Sequence, residues 1–554
     1  MLSGLRPLCR RSTRFAFQDT AFTTTNARRA HSFHPLINGF VSALQREQPC
    51  LAVSPHKIQI LSQPSSFYEK LLAMIRRAKT RIFLSSLYIG SGESQLIGAL
   101  EEALTRSPDL KVLLQLDLNR STRPGKSSTA HLLLPMLEKF PSRVSVSLFR
   151  SPSLRGVLSK VVPPRFNEGW GTWHAKIYGV DDEVMISGAN LNDSYFTDRQ
   201  DRYIHFDGES QLADYCFSFL RTVSTFSFHL SSPAHVRSSK YSYRHEDYTL
   251  DWLDGSTHPH EIQSKAADSF TSFQARQKEL STSRRSSSRS GVSSEEKVLL
   301  FPIIQAGQFG IREEESSLDL LFRHVASHST PDTDSFDNLR QRPLMDLTSG
   351  YFGLNKRYQD LVLSSRDIDC RIICASPRAN GFYGSNGISG RIPEGYTYLE
   401  QGFMQAVKSA GRTWAQEGNY GHGVQLKEWY RDGWTYHAKG IWLSPTPDAP
   451  PVLTLFGSTN LNSRSSQLDT ELSFIMALPS SASDRVRTSP EEHNTAVADA
   501  SASQVGEEPP RLDLGQELHK EVSRLHQFTE EWQGGTRAVR WGTKALVRLV
   551  GGML

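Results

Sequence analysis

The chain has 554 residues, 38% of them hydrophobic, and a formal net charge of +5. That length and content allow sizeable cores, and so modest a positive excess does not by itself demand a nucleic-acid partner. The five cysteines form neither a zinc-type pair set nor a disulfide framework, which sets aside metal-stapled and disulfide-scaffold classes.

In chain order, residues 1–33 come first. They hold Arg6, Arg10, Arg11, Arg14, Arg28 and Arg29, many Ser and Thr, and Asp19 as their one acid. This is the composition of a mitochondrial transit peptide without the apolar block of a secretory signal. From residue 34 to 235 a first half follows. Phe67 to Lys79 and Ser94 to Arg106 read as helices, while Arg81 to Leu87 and Lys111 to Leu116 read as buried strands. The alternation predicts an α/β layer arrangement. Pro124-Gly125-Lys126-Ser127 imitates the end of a phosphate loop, yet Arg120 stands where the first glycine belongs. Nucleotide hydrolysis there is disfavoured, and a phosphate contact within another site is the better use.

The first half then carries Trp173-His174-Ala175-Lys176, an apolar run Ile177 to Val180, the turn Asp181-Asp182-Glu183, a second apolar run, and Gly188-Ala189-Asn190-Leu191-Asn192. Strand, tight turn and strand are predicted. Residues two apart on a strand face the same way, so His174 and Lys176 point together into one site. Gly188 permits close backbone approach, and the Asn190 amide can donate to a phosphate oxygen. Residues 236–296, with the Ser/Arg tract Ser281 to Ser290, read as a flexible insertion.

A second half, 297–478, repeats the template as Tyr436-His437-Ala438-Lys439 and Gly457-Ser458-Thr459-Asn460-Leu461-Asn462. Ser444 takes the place of the turn aspartate, and the added residues 444–451 lengthen the hairpin turn. Asp201 follows the first motif and Glu471 the second. A carboxylate on one imidazole nitrogen fixes the tautomer that frees the other, so both are candidates for that task. Residues 479–511, rich in Ser, Ala, Glu and Pro, read as a disordered insertion. The segment 512–554 reads as helical, with Arg537, Arg540, Lys544 and Arg548 spaced for a basic helix on anionic lipid. Its rival reading is a final helix packed on the body. No run reaches the roughly 20 apolar residues of a membrane-spanning helix.

Two imidazoles, two ammonium groups and two amides around one phosphorus suit covalent phosphoryl transfer. One histidine attacks, the other handles the proton, and Lys176, Lys439, Asn190 and Asn460 steady the oxygens. The arrangement requires no metal and no cofactor.

At these residues the chain resembles the phospholipase D superfamily, whose signature is His-x-Lys, Asp after four intervening residues, then Gly-x-x-Asn. His174, Lys176 and Asp181 fit it, and Gly188 and Asn190 are read onto its end with one residue between them rather than two. The second copy lacks the Asp, which makes His174 the preferred nucleophile. Asp181 is grouped with the catalytic set, although a turn aspartate suits a structural part better. The resemblance implies a duplicated α/β sandwich with two pseudo-twofold halves and the site between them. Leu87 to Gly92, Ser153 to Gly156, Phe166 to Glu168, Gly188 to Arg202, Tyr351 to Asn355 and Ala379 to Gly384 are similar to one branch. That branch is the eukaryotic mitochondrial phosphatidylglycerophosphate synthases. It implies attack by His174 on CDP-diacylglycerol, with His437 as acid and then as base for glycerol 3-phosphate. Arg120, Arg123, Arg155, Arg165 and Arg378 are candidate clamps for the acceptor phosphate. The expected compartment is the mitochondrion, on the matrix side of the inner membrane, with peripheral attachment to anionic lipid and no nucleic acid. A lipid hydrolase, a serine-using phosphatidyltransferase, a nuclease or repair phosphodiesterase, and a noncatalytic lipid-binding protein remain as alternatives.

Overall fold

A computed structural model describes residues 33–154, 167, 169–233, 240–288, 296–326, 342–417, 420–480 and 513–550. The proposed transit peptide apart from Phe33, and nearly all of 479–511, lie outside them, as do Arg155 and Arg165. No described helix is long and apolar enough to cross a membrane.

Two sheets carry the chain, and their centres are copies. In the first, Arg81–Ser85, Lys111–Asp117 and Val144–Phe149 run parallel, and Ile177–Val180 pairs antiparallel with Arg81–Ser85. In the second, Leu344–Ser349, Asp369–Ala375 and Val424–Trp429 run parallel, and Lys439–Ser444 pairs antiparallel with Leu344–Ser349. Each sheet then continues through a hairpin strand, Glu183–Ser187 or Leu453–Gly457, to a further strand, Tyr203–Phe206 or Glu471–Ala477. Parallel strands need crossover helices, which supply apolar faces to cover the sheet. In the helix Pro64–Arg76, Phe67, Leu71, Met74 and Ile75 are buried at helical spacing. Each such side chain contributes about 1.5–3 kcal/mol by leaving water. The sheets abut where Phe206 of the first stacks on Phe456 of the second at 6.3 Å, and Phe456 in turn stacks on its sheet neighbour Phe474 at 5.7 Å.

Three expectations about domain boundaries change. The strand Leu51–Val53 pairs with Val298–Ala306 in the second sheet, so this early segment belongs with the later half. Much of 236–296 is ordered rather than flexible. Thr249–Asp251 joins the first sheet, and the helix Gln263–Ser288 continues a face on which Ile262, Ala266, Phe270 and Phe273 are buried. That helical spacing was hidden by the Ser/Arg composition beyond it, where Ser281 itself is buried. The C-terminal segment is also no appendage. Thr529–Glu531 extends the second sheet, and the helix Leu514–His526 sends Glu521 between the halves.

Glu521 accepts from Arg202 Nε at 3.0 Å and Nη2 at 2.9 Å, and from Trp442 Nε1 at 2.9 Å. Arg202 Nη1 donates to the Leu455 carbonyl at 2.9 Å, and its guanidinium lies 3.8 Å from the centre of the Trp442 ring. Both charges are buried, so removing one strands the other. Glu521→Ala is expected to lower the unfolding free energy by about 3–5 kcal/mol in denaturant titrations; a loss below about 1 kcal/mol would count against this clamp.

Candidate active site

Each motif hairpin forms as its sequence predicts, Ile177–Val180 with Glu183–Ser187 and Lys439–Ser444 with Leu453–Gly457. His174 falls just before its hairpin strand rather than within it, because its backbone is taken by the other half. His174 N donates to Thr470 O at 3.0 Å, and His437 N to Gln200 O at 2.8 Å. Trp173 bridges Thr470, and Thr435–Tyr436 pairs with Arg199–Gln200. The two histidine segments are thus stitched across the interface between halves.

The carboxylates are exchanged the same way. His174 Nδ1 lies 2.9 Å from both oxygens of Glu471, and His437 Nδ1 lies 2.7 Å from Asp201 Oδ2. Each imidazole therefore turns its Nδ1 to a carboxylate of the opposite half, with Lys439 Nζ also 2.8 Å from His437 Nδ1, and a proton held between Nδ1 and the carboxylate leaves Nε2 for chemistry. All four groups are buried. Lys176 Nζ donates to His174 O at 2.6 Å, and Lys439 Nζ to His437 O at 2.7 Å. A Cβ at Gly188 would stand 2.6 Å from Asp201 Oδ1 and 2.7 Å from Lys439 Nζ. The motif glycine makes room for these two groups rather than for backbone contact with a ligand.

Burial sets the charges. It lowers the His174 pKa against the pull of Glu471, and it lowers that of His437 well below the usual value, helped by Lys439 and Arg199. Both rings are neutral near pH 7. Burial also brings Lys176 down to about 7 and Lys439 to about 8. The two carboxylates differ. Burial raises Asp201 to about 6 despite Lys439 and the Arg202 N–H. Burial would raise Glu471 as well, but the His174 ring, Lys176 and Ser458 outweigh it and hold its pKa low. Ser458 and Ser465 both donate hydroxyls to Glu471; the hydrogen-bond donors to Asp201 are the Arg202 N–H and the His437 ring.

Not every motif residue joins this cluster. Asp181 remains in the hairpin turn with a φ of 50°. It accepts from the amides of Lys79, Thr80 and Arg81 and from the Thr80 hydroxyl. Its place in the motif is structural, which corrects its grouping with the catalytic set. Asn190 gives its amide to Tyr195 Oη at 3.0 Å and accepts from Leu87 N, so it is committed to protein partners. Asn460 keeps Oδ1 buried without a hydrogen-bond partner. Among the candidate arginines, Arg120 lies 4.2 Å from the centre of the Tyr88 ring, Arg123 is half-buried in the following loop, and Arg378 is exposed. The loop 124–127 is exposed.

Sequence reading missed the aromatic wall around His437. The Tyr195 and Tyr351 rings meet the imidazole edge-on at 5.1 and 5.4 Å, and Tyr195 Oη is 3.5 Å from Nε2. Donor atoms of His174, Asp469 and Glu471 lie close enough to share a cation, as do those of His131, His245 and Asp247 on the surface. In the first set Asp469 already serves Thr172 and Arg464, and Glu471 serves His174.

No family model matches the chain. Among curated relatives, a Gallus gallus protein named mitochondrial CDP-diacylglycerol–glycerol-3-phosphate 3-phosphatidyltransferase is 34% identical over 76% of this chain and 75% of its own. The Homo sapiens protein of that name is 35% identical over 76% and 74%. A Schizosaccharomyces pombe CDP-diacylglycerol–glycerol-3-phosphate 3-phosphatidyltransferase is 37% identical over 77% and 86%. Among solved structures, the Haemophilus influenzae phosphatidylserine synthase matches with a TM-score of 0.58 at 17% identity, over 92% of this chain and 96% of that one. That likeness bears out the duplicated α/β fold. Two His-x-Lys hairpins facing each other across such a frame define an enzyme of the phospholipase D type. Within that type, the chain belongs to the family of CDP-diacylglycerol–glycerol-3-phosphate 3-phosphatidyltransferases.

Two predictions follow from the geometry. Asp181→Ala is expected to lower stability by about 1–3 kcal/mol, because the turn loses its acceptor, with kcat per folded molecule unchanged within about twofold. Denaturant unfolding beside kinetics checks this, and a selective loss of kcat would restore Asp181 to the catalytic set. The rate should also be bell-shaped in pH. Asp201 must be ionised, so kcat/KM falls as pH drops through about 6; the lysines must be charged, so it falls again as pH rises through about 7 to 8. A profile flat from about pH 5 to 9 would contradict those assignments.

Proposed function

We propose that this chain moves the phosphatidyl group of CDP-diacylglycerol to the primary hydroxyl of glycerol 3-phosphate, releasing CMP and giving phosphatidylglycerophosphate. The exchanged carboxylates carry the reading. They support one histidine on each side of a single phosphorus, both neutral and both presenting Nε2. His174 Nε2 attacks the phosphorus that bears diacylglycerol, a P–N bond forms, and the P–O bond to CMP breaks. The departing phosphate is only weakly basic, with a second pKa of about 6, and leaves with little need of a proton. The acid part expected of His437 is therefore the lesser one. In the second step the acceptor hydroxyl gives its proton to His437 Nε2 and attacks phosphorus, and the P–N bond breaks. Lys176 and Lys439 balance charge on the non-bridging oxygens in both steps. Water is kept out by burial of the pair and by the walls of Tyr195 and Tyr351.

The donor lipid is met at a membrane surface, in this reading the matrix side of the mitochondrial inner membrane. The helix Trp541–Val550 buries Thr543 and Val547 toward the helix Ile392–Ser409, while Trp541, Ala545 and Leu549 form an exposed stripe. Trp541 and Leu549 are each 83% exposed. Lys544 and Arg548 flank the stripe, a pattern suited to anionic lipid, while Arg540 is paired with Glu394 at 2.6 Å. Trp541→Ala is expected to weaken binding to anionic vesicles about tenfold in flotation assays, with less effect on neutral ones.

The main test uses CDP-diacylglycerol vesicles, labelled glycerol 3-phosphate and excess EDTA. Wild type should couple CMP release to labelled product, and His174→Ala should lose at least about a thousandfold in kcat. CMP with phosphatidic acid alone would point to hydrolysis. No use of the liponucleotide would favour a nuclease.

A further inference from the structure

We infer that Arg199, a residue outside the His-x-Lys motifs, forms the anion subsite that holds the phosphate of the acceptor alcohol. The inference rests on the transferase reading above and names where that reaction keeps its second substrate.

Arg199 precedes Asp201 by two residues, and its backbone is fixed by parallel pairing with Thr435 of the other half. Its Nε donates to Thr435 Oγ1 at 2.9 Å, and its guanidinium lies 4.4 Å from the centre of the Tyr195 ring. Tyr195 is the residue whose hydroxyl approaches His437 Nε2 at 3.5 Å. On the other side, a Cβ at Gly381 would stand 3.0 Å from Tyr351 Oη and 3.2 Å from Arg199 Nη2. Tyr351 and Arg199 therefore share one small space beside the imidazole that would take the acceptor proton. No carboxylate pairs with Arg199 among the described residues, whereas Arg202 has Glu521, Arg464 has Asp469 and Arg371 has Asp346. A half-buried guanidinium lacking an acid partner, next to a phosphotransfer centre, has its remaining N–H donors available for a phosphate.

The chemistry of the acceptor fits this spacing. Glycerol 3-phosphate carries its reacting hydroxyl and its phosphate at opposite ends of a three-carbon chain. A hydroxyl at His437 Nε2 would place the phosphate beyond the tyrosine wall, where Arg199 lies. Of the arginines singled out from sequence, three are among the described residues: Arg120 is stacked on Tyr88, Arg123 is in the loop after its helix, and Arg378 is exposed, whereas Arg199 is the one whose guanidinium lies against Tyr195. The slot is also specific to one half. Aligning the Asn-Leu-Asn stretches puts Asp469 opposite Arg199, and Asp469 bonds Thr172 and Arg464.

The test is a kinetic split with the full chain on CDP-diacylglycerol vesicles. Arg199→Gln should raise the KM for glycerol 3-phosphate at least about tenfold, in line with a lost charge-assisted contact, and Arg199→Lys should restore part of it. The preference for glycerol 3-phosphate over glycerol should fall by a similar factor, while the KM for CDP-diacylglycerol moves less than about twofold. Inorganic phosphate should compete with glycerol 3-phosphate in wild type and lose potency in Arg199→Gln. Gly381→Ala, which crowds the same guanidinium without replacing it, should change the acceptor KM in the same direction and serves if Arg199→Gln fails to fold. A rise confined to the KM for CDP-diacylglycerol would assign Arg199 to the donor diphosphate and overturn the subsite, and so would an unchanged preference over glycerol. A wild-type enzyme that releases CMP without making phosphatidylglycerophosphate would overturn the transfer reading itself, before any variant is compared.

Discussion

Each motif histidine is held by a carboxylate from the opposite half. His174 is held by Glu471 and His437 by Asp201, and the backbone just before each carboxylate accepts the histidine's own N–H. Neither half is complete alone. Separated, each would bury a carboxylate without its partner and expose an imidazole without a fixed tautomer, and a buried unpaired charge is among the costlier defects a fold can carry. Sites made this way tolerate little sliding of one sheet against the other. That constraint accounts for features remote from the chemistry.

The chain ends meet it. The early strand Leu51–Val53 crosses to the second sheet, and the late helix Leu514–His526 reaches back with Glu521 to the arginine that follows Asp201. Arg202 in turn donates to the Leu455 carbonyl in the second hairpin and through its own backbone N–H to Asp201. A line of contacts thus runs from the last helix to the carboxylate of His437. Desolvation at the centre is the other half of the same design. The burial that makes the pairs expensive brings the two lysines to about 7 and 8 and keeps the imidazoles neutral, so the energy spent in excluding water returns as reactivity near neutral pH.

Local patterns were legible in the sequence, and long-range partners were not. Alternation and turn chemistry placed both hairpins within a residue or two, and Asp201 and Glu471 were picked out because carboxylates follow both motifs. Which histidine each one serves depends on how the halves face, and periodicity carries no such information. A motif groups residues by recurrence and not by role: Asp181, which its turn position already suits to a structural part, holds the turn, and the Asn190 amide is given to Tyr195. Arg199 was passed over in a charged run, Thr197 to Arg202, where nothing local separates an arginine facing water from one facing a site. The segment 236–296 was judged on its Ser/Arg composition, while Ile262, Ala266, Phe270 and Phe273 already marked a buried helical face.

Duplication supplies a symmetric cradle, but the reaction has two unequal steps, and the halves differ where that matters. Tyr195 and Ser465 occupy equivalent places after the Asn-Leu-Asn stretch, as do Arg199 and Asp469. Ser465 gives its hydroxyl to Glu471, which with Ser458 keeps that carboxylate ionised and the His174 tautomer fixed. Burial holds that ring's pKa below its usual value, which keeps His174 neutral near pH 7. Tyr195 instead stands against the His437 ring, and Asp201, lacking serine donors, sits at about 6. A carboxylate so near neutrality responds readily to charge arriving and leaving beside it, which suits the histidine that must take up and release a proton in each cycle. In the proposed reaction, these differences between the repeated segments are what make the symmetric pair unequal, with His174 suited to attack and His437 to proton transfer.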